Sequence, residues 1–532
     1  MEQRERVDKS RIRYNGLKKS KSEKMKKLPI GIAVFRDIIE ENYIYIDKTK
    51  YAYELITNYK YTFLSRPRRF GKSLFLDTLQ EIFEGNQKLF KGLYIYDKWD
   101  WNQKYPVINL KLNFKSISLE DLDTKVIIEI NKIADRFNLI LESSNSSIMF
   151  SNLIYEVYKK YQVKVVILID DWDKPIRDNL IKSELNIINK FLLSFYIVTK
   201  DMDRYIHFMF ATGEIPIKGD MLFGFNHLYD ISLIPKFGNI CGYTQNDIEI
   251  TFKPYLKGAD LEELKKWYNG YNFLSEKVYN PFDILLFIRN NFKFKNYWFD
   301  SGTPNFLIKL FKQGRYNLAS FENLKVKESF INAFDIDRLN LETVMFQSGY
   351  LTINKVIRKR LIKIYQLQYP NIETKLSFNN YILNYLIDSK VKKLEIQNDL
   401  IDILEIADLK KLETTLKALF ASIAYNNFTN NYIQNYEGFY ASVIYAYFAG
   451  AGFDDIRAED VTSSGRIDLS VFIDDKVYIF EFKVDSSGAL EQIKEKKYYQ
   501  KYIDKFNEIY LIGVEFDSES RNLIKYSWER IK

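Results

Sequence analysis

YTFLSRPRRFGKSLFL, residues 61–76, is the stretch from which the rest of the chain can be read. The apolar run Tyr61–Leu64 has the character of a short strand, Ser65 and Pro67 break it, and Gly71-Lys72-Ser73 opens an amphipathic stretch of helical spacing. A strand, a tight basic turn and a helix N-terminus together make a phosphate-binding loop. Its free backbone N–H groups and the helix dipole converge on an anion, the lysine adds a point charge, and the serine hydroxyl reaches Mg²⁺. The spacing departs from the usual G-x-x-x-x-G-K-S, because Arg66 stands where the first glycine is expected. A solvated basic turn fits these residues as well, so the loop has to be judged by its partners.

Those partners lie further along. Val163–Ile169 (VKVVILI) is an almost unbroken apolar run that stops abruptly at Asp170-Asp171-Trp172-Asp173. Such a run predicts a strand buried on both faces, and carboxylates at its C-terminal end lie where open α/β sheets bind ligands. Asp170 is placed to hold Mg²⁺, directly or through water, and Asp171 to orient an attacking water. Val107–Phe114 reads as another strand, followed by helical spacing over Leu119–Leu141; Tyr205–Ala211 reads as a strand ending in Thr212-Gly213-Glu214, with Thr212 placed to sense a γ-phosphate. Leu228–Leu233 is expected to close the sheet, and Tyr43–Thr49 to form a short strand before the loop. Strands alternating with helices predict a parallel sheet with crossovers.

Composition narrows the chemistry. A chain of 532 residues should hold about three or four domains. One cysteine, Cys241, excludes an intrachain disulfide, and two histidines leave little for imidazole catalysis, so carboxylates, lysine, hydroxyls and oxygen-ligated metal must carry any reaction. The 40 Tyr and 40 Phe, beside much Ile, Asn and Lys, read as an AT-rich coding bias rather than a base-stacking surface. Residues 1–27 hold eleven Lys or Arg against four Asp or Glu, a basic disordered tail, and leave the remaining chain close to neutral. No apolar run is long enough for a membrane span or a secretory signal, which predicts a cytoplasmic protein with no membrane partner.

LPIGIAVFRDIIEENYIYIDKTKY, FLSRPRRFGKSLFL and VVILIDDWDKPI resemble the corresponding blocks of the AAA-ATPase-like family that carries a C-terminal PD-(D/E)XK nuclease domain. DISLIPKFGNICGYT, KKWYNGYNF, YNPFDI, YWFDSGTPNFL and FQSGYLTI continue the likeness from Leu28 to about Ile353. The resemblance implies ATP and Mg²⁺ at Gly71, Lys72, Ser73 and Asp170, and Arg66 is no departure within that family, whose loop also reads RPRRFGKS. Arg66, Arg68 and Arg69 are then read as phosphate-facing charge. Asp171 is a departure, since the family has Glu in an I-D-E-Y-D run; Asp is one methylene shorter, which puts hydrolysis in question more than binding. From Cys241 to about Tyr425 the spacing is mostly helical, with turn signals at Asn269-Gly270, Asn280-Pro281 and Gly302-Thr303-Pro304, and predicts a helical lid and connector.

A second site is expected near the C-terminus. Tyr432–Ala449 reads as a helix, Gly465–Ile473 and Lys476–Val484 (KVYIFEFKV) as a hairpin of two strands. In the second strand Val477, Ile479, Glu481 and Lys483 share one face, so two charges interrupt an apolar surface. A buried Glu and Lys are costly unless paired or bound to metal. With Asp468 on the neighbouring strand they make the D…E-x-K arrangement of phosphodiester hydrolases: Asp468 and Glu481 for Mg²⁺ or Mn²⁺, Lys483 for the attacking hydroxide or the charged transition state. GRIDLSVF and YIFEFKV also resemble the family's nuclease domain, which adds Glu437 as an assisting carboxylate and Gln492 as a substrate contact. The expected organisation is residues 1–27 tail, 28–240 P-loop ATPase, 241–430 helical lid and connector, and 431–532 restriction-endonuclease-like α/β domain. The expected activity is ATP hydrolysis with cleavage of nucleic acid, DNA first, in a chain whose oligomeric state, homo-oligomer included, stays open. The alternative is a nucleotide-switched regulatory or nucleic-acid-binding protein with a nuclease-like fold and no catalysis.

Overall fold

A computed structural model describes residues 25–112, 118–179, 185–215, 227–301, 307, 310–311, 316–331, 340–387, 399–423 and 437–532. The basic tail up to residue 24, the turn at 302–304 and residues 432–436 of the expected nuclease helix lie outside them.

Five parallel strands form the N-terminal sheet: β1 (Tyr61–Ser65), β2 (Val107–Lys111), β3 (Val165–Asp170), β4 (Ile206–Gly213) and β5 (Tyr229–Asp230), in the spatial order β2-β3-β4-β1-β5. All of β3 is buried, because its side chains alternate between two apolar layers. Val166 and Leu168 pack with Leu76 and Leu79 of the helix Lys72–Phe83, while Ile167 and Ile169 pack with residues of the helices Leu119–Arg136, Ser146–Tyr161 and Leu185–Asp201. β4 lies between the loop strand and the acidic strand, so the ends of β1, β4 and β3 stand side by side.

Two expectations are corrected. Tyr43–Thr49 is not a strand: Tyr43 makes one isolated bridge to Lys27, and Asp47 accepts from the Thr49 amide (2.8 Å) and hydroxyl (2.7 Å), starting the helix Thr49–Asn58. The middle region is not purely helical either. It contains a three-stranded antiparallel sheet, β6 (Leu324–Lys327), β7 (Thr352–Lys359) and β8 (Ile362–Gln368), in the order β6-β8-β7. The β7–β8 turn carries no Gly, Asn or Pro; Arg360 takes the left-handed conformation itself, at φ 53°, so the usual hairpin signal is missing from the sequence.

The C-terminal sheet is mixed: β9 (Ile456–Val461), β10 (Arg466–Ile473), β11 (Lys476–Val484), β12 (Glu508–Asp517) and β13 (Asn522–Arg530), in the order β13-β12-β11-β10-β9 with β11 and β12 parallel. The helix Glu437–Gly450 covers the face bearing Tyr478, Phe480 and Phe482; the opposite face, with Val477 and Ile479, packs on Ile493, Tyr498 and Tyr502. The helix Ile372–Leu386 joins the two halves. Its Asn380 amide donates to the Gly450 carbonyl (2.8 Å) and its Lys375 ammonium to the Asp454 carbonyl (3.0 Å). One continuous apolar cluster runs from Phe63 and Ile167 through Phe378 and Ile382 to Phe480.

Candidate functional site

The loop after β1 turns through two left-handed residues, Arg69 (φ 66°) and Gly71 (φ 95°), and the helix starts at Lys72. Gly71 is needed for its conformation, since a Cβ there would meet open space. Position 66 has no positive φ and needs no glycine. Arg66 instead is 1% exposed; its guanidinium donates to the carbonyls of Ser65 and Ser232 (both 2.8 Å), Phe237 (3.0 Å) and Gly238 (3.3 Å), and lies 3.9 Å from the Phe273 ring centre. This corrects the reading of Arg66 as phosphate-facing charge: its two terminal nitrogens are spent on backbone carbonyls, away from the cleft beside the loop.

That cleft, about 1170 Å³ including its open mouth, is lined by Arg68, Arg69, Gly71, Lys72, Ser73 and Asp171 among others. Lys72 is buried and its ammonium donates to the carbonyls of Arg66 (2.9 Å) and Pro67 (3.1 Å), a folded-back position from which an incoming phosphate would draw it. Arg69 lies over the Phe282 ring at 4.8 Å. Arg68 stacks on Trp298, and its guanidinium's hydrogen bonds among the described residues are long, 3.4–3.5 Å, to the carbonyls of Trp298 and Phe299 and the Tyr350 hydroxyl.

Asp170 ends β3 and accepts the Thr212 hydroxyl at 2.7 Å. Thr212 is fully buried and outside the cleft wall, so its partner is Asp170 and it orients that carboxylate. Asp171, at φ 52°, lines the cleft, where Arg177 holds its carboxylate at 3.3 Å. Arg177 also reaches Asp173 (3.0 Å) and Glu214 (2.8 Å). Burial lowers the Arg177 pKa, but Asp173, Glu214 and Asp171 more than reverse this and raise it, so the guanidinium is firmly charged. Burial pushes the Asp173 carboxyl up against the pull of Arg177, and its Oδ2 fixes the amides of Glu214 and Ile215 at 3.0 and 2.7 Å. Arg177 and Glu214 line the cleft and are not singled out by sequence reasoning. The available signal is the spacing of Arg177 four residues after Asp173, and Glu214 following Thr212-Gly213.

At the second site β10 and β11 bring Asp468 and Glu481 together. Their register pairs Leu469 with Phe480, and the Asp468 carboxylate takes the next amide, Phe482 N–H, at 2.8 Å. Glu481 is 2% exposed; Lys483 approaches its Oε1 to 3.6 Å, the Gln492 amide donates to the same oxygen, and Oε2 is buried with no hydrogen-bond partner among the described residues. Burial pushes both carboxyls up, Glu481 further because of the Asp468 charge, and Glu437 adds to both while Lys483 opposes. Glu437, at the start of the helix Glu437–Gly450, is itself raised by burial. Gln492, expected at substrate, is occupied with Glu481. Among the described residues no group of three or more His, Cys, Asp or Glu side chains forms a ready metal cage. The two-carboxylate arrangement with an orphaned buried oxygen suits a hard cation that keeps part of its water shell.

No helix among the described residues is long and apolar enough to cross a membrane. A family model described as "Predicted AAA-ATPase" matches residues 29–223, and one for the PD-(D/E)XK nuclease superfamily matches residues 435–526. The chain is 40% identical over 516 residues to the "Uncharacterized protein in vnfD 5'region" of Azotobacter chroococcum mcd 1, covering 95% of this chain and 99% of that protein. No solved structure matches. With the loop and acidic strand ends on one parallel sheet and Asp468, Glu481 and Lys483 on a separate mixed sheet, the chain belongs to the AAA-ATPase-like family that carries a C-terminal PD-(D/E)XK nuclease-superfamily domain.

Proposed function

We propose that this protein binds and hydrolyses ATP with Mg²⁺ and cleaves phosphodiester bonds of DNA at the C-terminal site with Mg²⁺ or Mn²⁺. The observation that carries the nuclease reading is the buried, unpartnered Oε2 of Glu481 between Asp468 and Lys483, because a carboxylate oxygen left dry and unpaired costs several kcal/mol unless a cation or proton meets it. A divalent cation there would polarise the scissile phosphate and lower the pKa of a bound water. Asp468 and Glu481 would hold it, and Lys483 would place positive charge beside the attacked phosphorus. At the cleft Gly71, Lys72 and Ser73 would receive the phosphates with Arg69 beside them, and Ser73 with Asp170, at the end of β3 behind the cleft wall, would hold the Mg²⁺ that neutralises their charge. The proposed boundaries stay at 28–240, 241–430 and 431–532, with β6–β8 in the connector.

Incubating the purified protein with Mg²⁺, ATP and duplex DNA should give cleavage that Lys483→Ala reduces at least 100-fold; cleavage unchanged in that variant would sink the site. Lys72→Ala should abolish ATP binding measured by calorimetry, and retained binding would show the loop misread. The pairing of Asp171 with Arg177 favours one second reading, a nucleotide-bound switch that does not hydrolyse. Under that reading ATP binds and persists intact.

A further inference from the structure

The β7–β8 ribbon takes no part in either site, and its composition is unlike that of the chain around it. From Thr352 to Gln368 there is no Asp or Glu, while Lys355, Arg358, Lys359, Arg360 and Lys363 all fall within nine residues. Apart from the N-terminal tail the chain is close to neutral, so this is a local excess. Lys355, Arg358, Lys359 and Arg360 are exposed, and none forms an ion pair among the described residues; Lys363 alone meets Glu328, at 3.1 Å. β6 adds Lys325 and Lys327, both exposed.

The geometry separates this from an ordinary solvated face. β6 pairs with β8 only from Ile364 to Leu367, so the end of the β7–β8 pair, residues 357–363, stands as a two-stranded ribbon without a third strand. By strand alternation Lys355 and Lys359 occupy one face and Arg358 and Lys363 the other, with Arg360 at the turn. Arg358 lies directly opposite Lys363, a like-charge pair that is destabilising across a sheet. Large apolar side chains sit bare among these charges: Leu361 at the tip is fully exposed and Ile362 is 49% exposed. Among the described residues no acidic side chain opposes Lys355, Arg358, Lys359 or Arg360 and nothing covers the tip.

We infer that the β7–β8 ribbon is a double-stranded DNA-binding element that enters the major groove. Two strands 4.7–4.9 Å apart fit a groove about 12 Å wide, where phosphates run along both walls and cations are useful on both faces; Leu361 and Ile362 then meet base edges such as thymine methyl groups. The deep, narrow major groove of duplex RNA does not admit such a ribbon. The element is also fixed to the nuclease half. Leu318–Glu322, which packs beside β8, donates the Leu318 amide to the Ser442 hydroxyl (2.9 Å) and accepts the Tyr445 hydroxyl on Glu322 (2.5 Å), both on the helix that starts with Glu437. DNA held by the ribbon is thereby held relative to Glu437, Asp468 and Glu481. This assignment adds a binding surface to the proposed nuclease and does not require that site to be active.

The test is fluorescence anisotropy of a labelled 30-base-pair DNA duplex with the full chain, carried out in a Lys483→Ala background across a KCl series. Substituting R358S, K359S and R360S together should weaken binding 10- to 100-fold at 0.1 M KCl and reduce the slope of log K against log [KCl] by about 2 to 3, as loss of three phosphate contacts requires. In the unsubstituted protein, duplex DNA should protect Lys355 and Lys359 from acetylation while leaving Lys132 and Lys417 reactive, a readout that does not depend on the variant folding. Unchanged affinity and slope, unprotected lysines, or equal dependence on the ribbon for duplex RNA would each overturn the assignment. If the ribbon binds DNA and no cleavage is found in the protein with Lys483 intact, the nuclease reading fails and the ribbon assignment stands.

Discussion

Arg66 and Arg69 look alike in the sequence and do opposite things. Arg66 uses its planar fork to bind four backbone carbonyls inside the protein, a geometry that lysine's single ammonium cannot reproduce. Arg66→Lys should therefore destabilise the fold by about 2–4 kcal/mol, because carbonyls and a buried charge lose partners; a urea titration measures it, and a midpoint unchanged from that of the parent protein would refute the bracing role. Arg69 lies over the Phe282 face beside the cleft and makes no side-chain hydrogen bond or ion pair among the described residues. Arg69→Ala should keep the urea midpoint and weaken ATP binding about tenfold, by loss of a charge-assisted contact. The loop itself was legible from Gly71-Lys72-Ser73, whereas the role of each arginine was not, since Arg66 is defined by carbonyls from residues 232–238 that no local pattern brings near. Thr212 was legible as a polar strand end, but its partner came from strand order.

At the scale of elements, the helices Pro281–Arg289 and Ile372–Leu386 meet through two acids. Asp283 and Glu373 are fully buried and close enough to perturb each other; Glu373 Oε1 accepts the amides of Trp298 (2.7 Å) and Phe299 (3.4 Å), while Glu373 Oε2 and both Asp283 carboxyl oxygens have no hydrogen-bond partner among the described residues. Burial pushes both carboxyls up; the neighbouring Glu373 raises Asp283 further, while Asp283 and the amides of Trp298 and Phe299 partly hold Glu373 down. The charged or titratable groups facing the pair are Arg68 from the loop, Asp300, and Tyr268, Tyr271, Tyr297 and Tyr350. A folded-state pKa above the unfolded value near 4 means that the fold holds the extra proton. The pair's contribution is thus complete below the ordinary carboxyl range and is lost as pH rises through the raised values. Melting temperature should fall between pH 6 and pH 9, and Asp283→Asn, which keeps a donor and removes the titration, should flatten that fall; an identical slope in the variant would exclude the pair as its source. Both acids sit in helix starts that sequence alone marks as ordinary capping positions. β3 was legible because a strand buried on both faces is apolar throughout, and β10–β11 because Glu481 and Lys483 interrupt an apolar face; β7 and β8 were not, because Arg360 supplies the turn where glycine would have announced it.

Across the whole molecule these contacts form a continuous mechanical route between the sites. Arg68 lines the nucleotide cleft and touches the carbonyls of Trp298 and Phe299, whose amides are held by Glu373. Glu373 lies in the first turn of the helix Ile372–Leu386, and Asn380 on that helix donates to the Gly450 carbonyl at the end of the helix that begins with Glu437. Gly349 reinforces the near end: a Cβ there would come within 2.6 Å of the Pro67 ring, so connector and loop are in close contact. A phosphate that pulled Arg68 toward the cleft would act on carbonyls whose peptide units anchor the joining helix, and displacement of that helix would reach the helix that begins with Glu437 through the Asn380–Gly450 hydrogen bond and an apolar seam, with the Lys375–Asp454 bond beside them. Such coupling needs a differential effect of the ligand on two arrangements, which spatial continuity alone does not supply. Hydrogen exchange gives the direct measurement. Addition of a non-hydrolysable ATP analogue should change exchange in residues 437–450, about 2- to 5-fold for a coupling of ~0.5–1 kcal/mol, and Asn380→Ala should remove most of that change while leaving analogue affinity within twofold. Exchange in 437–450 that ignores the analogue would show that the two sites act independently, and a full response in Asn380→Ala would place the coupling in the apolar seam of Phe378 and Ile382 instead of the hydrogen bond to Gly450.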